Sequence, residues 1–384
     1  MKHVVHYHNW LFLFGFIYYL IIPLVVVCSN KWEDYPGIDN IYLYFKNRYI
    51  YGYLTMVILL GLFFLLGSYT PRLCKLKTQM VYCEKIVPSK HFVLLVSPLL
   101  LYCQYVIFQN RSYLFQGYLV ELESPFVGTI ATTSLFVLFI YLYNKIGIYS
   151  KTVDKLLVFF IIEMSIVLSG LGTRMYVIIP IISIFIYLIE NKKISLKRLF
   201  TISGFVILFI LAVGIWRMGD KDISIDALLY IGIAEPSLTW ISAISLYDLN
   251  EIPLLLFPKQ FLSSYINFLP STLFPNKSEL IASLPLKYDN PLGATSLYTS
   301  LIANFGLFGS FLAIFLFGFL LTFIRLRWRT NYGRAYYYCI CGIIPFQLFR
   351  DSVEIINKEL FFTFLILPCL FILFSNKRKI RFVK

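Results

Sequence analysis

Ten stretches of this chain carry almost no charge: 10–28, 50–69, 92–108, 126–143, 156–173, 175–189, 199–216, 297–324, 335–349 and 360–374. Each comes close to the ~20 apolar residues that a helix needs to cross a bilayer. Glu163 is the only Asp, Glu, Lys or Arg inside any of them. The pattern predicts an all-α polytopic membrane protein with about ten transmembrane helices, a single integral domain over 1–384. The last two runs are short, so 335–374 can also dip as a hairpin. The run 297–324 is too long for one straight crossing, at ~40 Å against ~30 Å of hydrocarbon. Gly306 and Gly309 are the places to divide it.

Between the seventh and eighth runs lies one large extracytoplasmic loop, 217–293. Its prolines (Pro236, Pro253, Pro258, Pro270, Pro275, Pro285, Pro291) break it into short pieces. Its apolar clusters, Ala227–Ile231 and Leu254–Phe257, must bury themselves. It is therefore expected to be structured and to fold back onto the outer membrane surface, with a re-entrant piece around 252–270. Long loops with structure of their own are often functional.

Composition agrees: 59% hydrophobic and 14% charged residues, against about 45–50% apolar and about 25% charged in soluble domains. A mean hydropathy of +0.75 excludes a soluble enzyme, a disordered chain and a disulfide scaffold. Net charge is +14, and its distribution explains it without nucleic acid. Alternate connections hold Lys2; Arg72, Lys75, Lys77, Lys85 and Lys90; Lys145, Lys151 and Lys155; Lys192, Lys193, Lys197 and Arg198; Arg325, Arg327, Arg329 and Arg334; Lys377, Arg378, Lys379, Arg381 and Lys384. Only Glu84, Asp154 and Glu190 oppose these basic residues. The remaining connections are net acidic. The positive-inside rule then places both termini in the cytoplasm. The first run lacks a small-residue cleavage site and is read as retained. Seven cysteines without a Cys-x-x-Cys suggest neither disulfides nor zinc.

Three arginines stand at outer helix ends, where positive-inside bias makes them uncommon: Arg174 in Gly-Leu-Gly-Thr-Arg, Arg217 in Trp-Arg-Met-Gly, and Arg350 in Phe-Arg-Asp. Guanidinium forks onto phosphate oxygens, so an anionic headgroup or diphosphate is the functional reading. Snorkelling, or pairing with Asp220 or Asp351, is the structural one. Arg174 is the strongest, in a glycine-containing turn at the start of the next helix. Glu163, in mid-span, must be neutral, paired or beside a polar cavity, as a proton carrier, an orienting base or a helix-to-helix hydrogen bonder. Asp220-Lys221-Asp222 has the Asp-x-Asp form of metal-holding glycosyltransferases, but its Lys favours a solvated turn, and no metal is assigned. All four histidines (His3, His6, His8, His91) fall on the cytoplasmic side, leaving Asp, Glu or Tyr as an outer-face base. A Walker A sequence is absent.

The segments 166–190 (IVLSGLGTRMYVIIPIISIFIYLIE) and 292–320 (LGATSLYTSLIANFGLFGSFLAIFLFGFL) resemble the Wzy-type O-antigen and oligosaccharide repeat-unit polymerases. So do Phe349-Arg350-Asp351-Ser352 and the pattern from Tyr113 through Leu135. The resemblance implies a GT-C-like helical fold in the bacterial cytoplasmic membrane. It implies transfer of a growing glycan from undecaprenyl diphosphate to a lipid-linked repeat unit at the outer face. It points to Arg174, Arg217 and Arg350, with Glu163 and Asp220, as catalytic candidates. Thr173, Tyr298, Asn304 and Asp351 become candidates for substrate contact. It implies no cofactor. The expected partners are the lipid-linked oligosaccharide and the bilayer, with room for a chain-length regulator and a flippase. The chain departs from the family in lacking the Arg-x10-Gly motif described for some members: Tyr298 to Gly309 has that spacing without the arginine. A related ligase would carry a His in the large loop, and this one has none. The rival readings are a flippase or permease for lipid-linked glycans and a single-sugar GT-C transferase.

Overall fold

A computed structural model describes residues 5–29, 31, 42, 50–74, 82–88, 90–115, 125–147, 151–218, 225–246, 252–269, 274–284, 295–328, 330–351 and 353–382. The main helices are α1 (Tyr7–Ser29), α2 (Ile50–Leu73), α3 (Lys90–Gln109), α4 (Pro125–Ile146), α5 (Lys151–Gly170), α6 (Arg174–Glu190), α7 (Leu196–Met218), α8 (Ile225–Leu238), α9 (Leu297–Arg327) and α10 (Asn331–Ile343). Finally α11 (Val353–Lys358) continues through a π-helical stretch, Glu359–Ile366, into α12 (Leu367–Leu373).

Among the described residues, six helices are long and apolar enough to cross a membrane: Tyr7–Ser29, Ile50–Leu73, Val127–Ile146, Lys197–Trp216, Leu297–Arg327 and Ile355–Leu373. This is a multi-pass membrane protein. The other four uncharged runs are helical too, but each falls short for a physical reason. α3 opens with Lys90 and His91 and leaves only the uncharged run 92–108. α5 opens with Lys151, Asp154 and Lys155 before reaching Glu163. α6 has 17 residues. α10 has 13, about 20 Å of helix, and the chain turns at 344–346 before the short helix Gln347–Arg350. The all-α expectation needs one amendment. β1 (Tyr82–Pro88) and β2 (Ser375–Phe382) pair antiparallel, with Lys85 opposite Arg378 and a bulge between Cys83 and Lys85.

The described residues fall into two compact units, each assembled from separate stretches. The first holds residues 1–78, 232–327 and 343–358. Its centre is the pair α2 and α9, whose backbones meet because small residues allow it. A Cβ on Gly67 would collide with the Phe315 carbonyl, and one on Gly318 with the Phe64 carbonyl. Phe12 of α1 stacks on Phe64 of α2 at 3.6 Å. Trp240, fully buried, donates its indole N–H to the Tyr19 carbonyl at 2.6 Å and meets the Tyr53 ring edge to face.

The division of α9 falls at Gly306, with φ 77° and ψ −177°, a conformation open essentially to glycine alone. Beyond it the helix restarts with unmatched N–H groups, and the large loop supplies their acceptors. Leu307 N donates to Pro253 O (3.1 Å) and Phe308 N to Leu254 O (2.8 Å), while Leu256 N returns a bond to Phe305 O (3.0 Å). The remainder of α9, from Leu307 to Arg327, is roughly 30 Å long, one hydrocarbon thickness. The described 253–256 segment thus docks on the kink of the helix that follows the loop, while the side chains of Leu254, Leu255 and Phe257, expected to bury themselves, are exposed. Side chains lock it there. Asn304 Oδ1 accepts from Phe261 N, and its Nδ2 donates to Gln260 Oε1 and Ser300 O. Asn357 of α11 donates to Phe261 O and Ser264 Oγ. Lys277 Nζ reaches the carbonyls of Asn267 (3.2 Å) and Leu269 (2.6 Å).

The second unit holds 79–231, 328–342 and 359–384. Its core is α4, buried at every residue from Ile130 to Phe139, with α3, α5, α6 and the π-helical stretch against it. α7 is the opposite: only 6% of its apolar window is buried, with Phe200, Phe205 and Leu208 outward. An apolar helix exposed in this way faces lipid.

Candidate functional site

In the first unit, the short helix Gln347–Arg350 places Arg350 between two carboxylates. Its Nε forms an ion pair with Glu235 Oε1 of α8 at 2.7 Å, and its Nη1 donates to Asp351 Oδ1 at 3.0 Å. The Glu235 contact is close but not aimed as a hydrogen bond, so its attraction is chiefly Coulombic. Asp351 is buried. Burial pushes its carboxyl above the usual range, against the pull of Arg350 and a hydrogen bond from Gln347, and the negative Glu235 adds to the rise. Tyr19 lies within electrostatic reach of all three charges. Phe349 stacks on the Tyr19 ring at 5.6 Å and meets Tyr298 at 6.0 Å. The hydroxyls of Tyr19 and Tyr298 are both buried without a hydrogen-bond partner among the described residues. Such groups are exceptions in folded proteins, and water or a ligand usually answers them.

In the second unit, α5 ends in a tight turn. Gly172 takes φ 74°, and Thr173 closes the helix with both its backbone N–H and its Oγ1 on the Leu168 carbonyl, each at 2.9 Å. Phe115 N caps the Gly170 carbonyl at 2.9 Å. Arg174 follows as the first residue of α6. A cation there opposes the positive end of the helix dipole, so helix stability gives no reason for it. The guanidinium is half-buried and lies against Gly214 of α7, where a Cβ would stand 2.7 Å from Nη1, with Ile231 beside it. Among the described residues, none forms a hydrogen bond or ion pair with Arg174.

The other expected residues divide between the units. Glu163 of α5 accepts from Gln104 Nε2 of α3 at 3.0 Å, a hydrogen bond between neighbouring helices. Asn304 has its whole amide engaged in pinning the large loop. Arg217 stands in the last turn of α7; its side chain, and all of Asp220, lie outside the described residues. Among the described residues no cluster of His, Cys, Asp and Glu could hold a metal. Comparison with protein-family models, curated proteins and solved structures finds no match.

Sequence reasoning missed Glu235, Tyr19 and Gln347. Glu235 had a signal: it is the one acid between Asp226 and Asp248, set in an apolar stretch just before Pro236. Tyr19 had none, being one of 29 tyrosines.

Proposed function

We propose that this chain polymerises lipid-linked oligosaccharide repeat units into a surface polysaccharide at the outer face of a bacterial cytoplasmic membrane. In this reading all ten helices cross or enter the bilayer in a GT-C-like arrangement, with both termini in the cytoplasm. The observation that carries it is the half-buried guanidinium of Arg174, which no described residue neutralises. Breaking the sugar–phosphate bond develops negative charge on undecaprenyl diphosphate. A preorganised cation in a water-poor site stabilises that charge as it forms. The bond from the anomeric carbon to the diphosphate oxygen breaks, the acceptor hydroxyl oxygen bonds to that carbon, and its proton passes to a carboxylate.

The first unit holds a polar cluster of its own. Glu235 and Asp351 supply carboxylates, Tyr19 and Tyr298 supply unmatched hydroxyls, and the rings around Phe349 supply stacking surface. Arg350, held between two acids, acts in this reading as their positioning residue. The test is Arg174→Ala in the host strain: long-chain glycan is lost while single repeat units persist, at an unchanged protein level. An unaltered chain-length ladder in that variant overturns the reading. Accumulation of repeat units on the cytoplasmic side of the membrane would identify a flippase instead.

A further inference from the structure

Three helix ends meet at one edge of the first unit, away from the residues discussed above. His6 precedes α1, Arg72 stands in the last turn of α2, and Arg325 in the last turn of α9. Arg72 Nε donates to His6 Nε2 at 3.1 Å, and Arg325 Nε donates to the Val5 carbonyl at 3.2 Å. The His6 and His8 rings meet edge to face at 5.5 Å. His8 Nε2 shares a 3.0 Å hydrogen bond with Thr322 Oγ1, and Thr322 donates to the Ser68 carbonyl at 2.9 Å. The cluster is thus fastened into the packing of α1, α2 and α9.

A guanidinium has donors only, so His6 Nε2 must be the acceptor, and the ring's proton sits on Nδ1. That Nδ1–H is buried, in a residue 5% exposed, and has no partner among the described residues. Burial, then the charges of Arg72 and Arg325, hold the His6 imidazole down to about 3. At neutral pH it is therefore an uncharged donor, set in a positive field it cannot relieve. Arg325 is itself only 6% exposed. Arg72 is exposed, with the Tyr69 ring 5.4 Å from its guanidinium carbon, and no carboxylate among the described residues pairs with it. An orphaned N–H beside the exposed Arg72 guanidinium is a place for a compact anion. A phosphate group fits it: its charged oxygens each accept more than one hydrogen bond and its tetrahedral shape lets them face groups on different helices.

We propose that His6 and Arg72 form a phosphate-binding site at this end of the helices, taking either the phosphodiester of an anionic membrane lipid or the free ion. The site lies where membrane-length helices end, the level at which lipid headgroups reside. It is independent of the polymerase reading and of which side of the membrane this end faces.

The test is thermal unfolding of the full chain in a neutral detergent. Phosphatidylglycerol, phosphatidylcholine and inorganic phosphate are added in turn, with chloride at matched ionic strength as control. The expected result is a rise of several degrees with phosphatidylglycerol and none with phosphatidylcholine or chloride. A rise with inorganic phosphate as well identifies the free ion as a sufficient ligand, and a rise with the lipid alone identifies the headgroup. The rise should fall by half or more in Arg72→Gln and in His6→Gln. The second variant keeps a neutral side chain with one donor and one acceptor, so it reads the site even where Arg72→Gln fails to fold. No rise in the wild type with either phosphate source overturns the proposal, and so does an undiminished rise in His6→Gln.

Discussion

Arg350 and Arg174 have the same charge and the same place in the sequence pattern, a helix end beside an uncharged run. Their surroundings are opposite. Arg350 is held by Glu235 at 2.7 Å and Asp351 at 3.0 Å, while Arg174 leans on Gly214 and Ile231 with no partner among the described residues. A matched cation has been removed from competition for an external anion, because releasing it would strand the buried Asp351 and the partly buried Glu235. An unmatched one has no such cost. In the proposed reading, the difference separates an arginine that organises acids from one open to a diphosphate.

The largest effect should come from the unmatched side. Arg174→Ala should lower polymer formation by about 100-fold or more, the scale of removing a single charge-stabilising donor, with little change in unfolding temperature. Arg174→Lys should recover only part of the activity, since an ammonium does not fork onto two oxygens. A clear loss of stability in Arg174→Ala would make the two arginines alike and erase the contrast. For Arg350 the order reverses. Arg350→Met should destabilise by about 3 kcal/mol, the lower end for breaking a buried pair because Arg350 and Glu235 are partly exposed. Adding Glu235→Gln and Asp351→Asn should return most of that loss, which thermal unfolding of the triple variant measures.

Gly306→Ala probes the frame on which the paired cluster rests. An alanine there must hold a positive φ and place its Cβ 2.5 Å from the Pro253 carbonyl, costing roughly 1–3 kcal/mol. The sharper readout is limited proteolysis. The 252–284 segment should be cut faster in the variant, with cleavage elsewhere unchanged.

The smallest effect concerns Lys277, a third cation, satisfied by carbonyls instead of charge. Burial, and then the charge of Lys358, lower its pKa from 10.5 to about 8. The unfolded chain therefore binds the proton more tightly between those values. Stability rises with pH across that window, is greatest above 10.5 and is least below 8. Lys277→Met should flatten this slope, as a pH series of unfolding midpoints would show.

The helical runs were legible because a bilayer admits few solutions: a spanning segment must be long, apolar and hydrogen-bonded within itself. The break at Gly306 was legible for a similar reason, since 297–324 exceeds the thickness available. The attachment of the large loop at that break was not legible, since Pro253, Leu254 and Leu256 dock through their backbones while the side chains of Leu254, Leu255 and Phe257 stay exposed. Other features left no local trace. The ribbon of 82–88 with 375–382 joins two short segments from distant parts of the chain, and neither encodes its partner. Asn304 looked like a substrate contact within Asn-Phe-Gly, yet its amide is occupied by Gln260, Phe261 and Ser300.

What the sequence by itself determined is the solvent: hydropathy and the placing of lysines and arginines make this a membrane chain, with its acids gathered on alternate connections. Those are additive properties of short segments, so they survive without knowledge of the fold. Which arginine is matched and which is open was decided only by tertiary structure. Glu235 lies far from Arg350 along the chain, and an ion pair depends on a distance of a few ångströms that no composition encodes. Local pattern can say that a charge needs a partner; only packing chooses the partner.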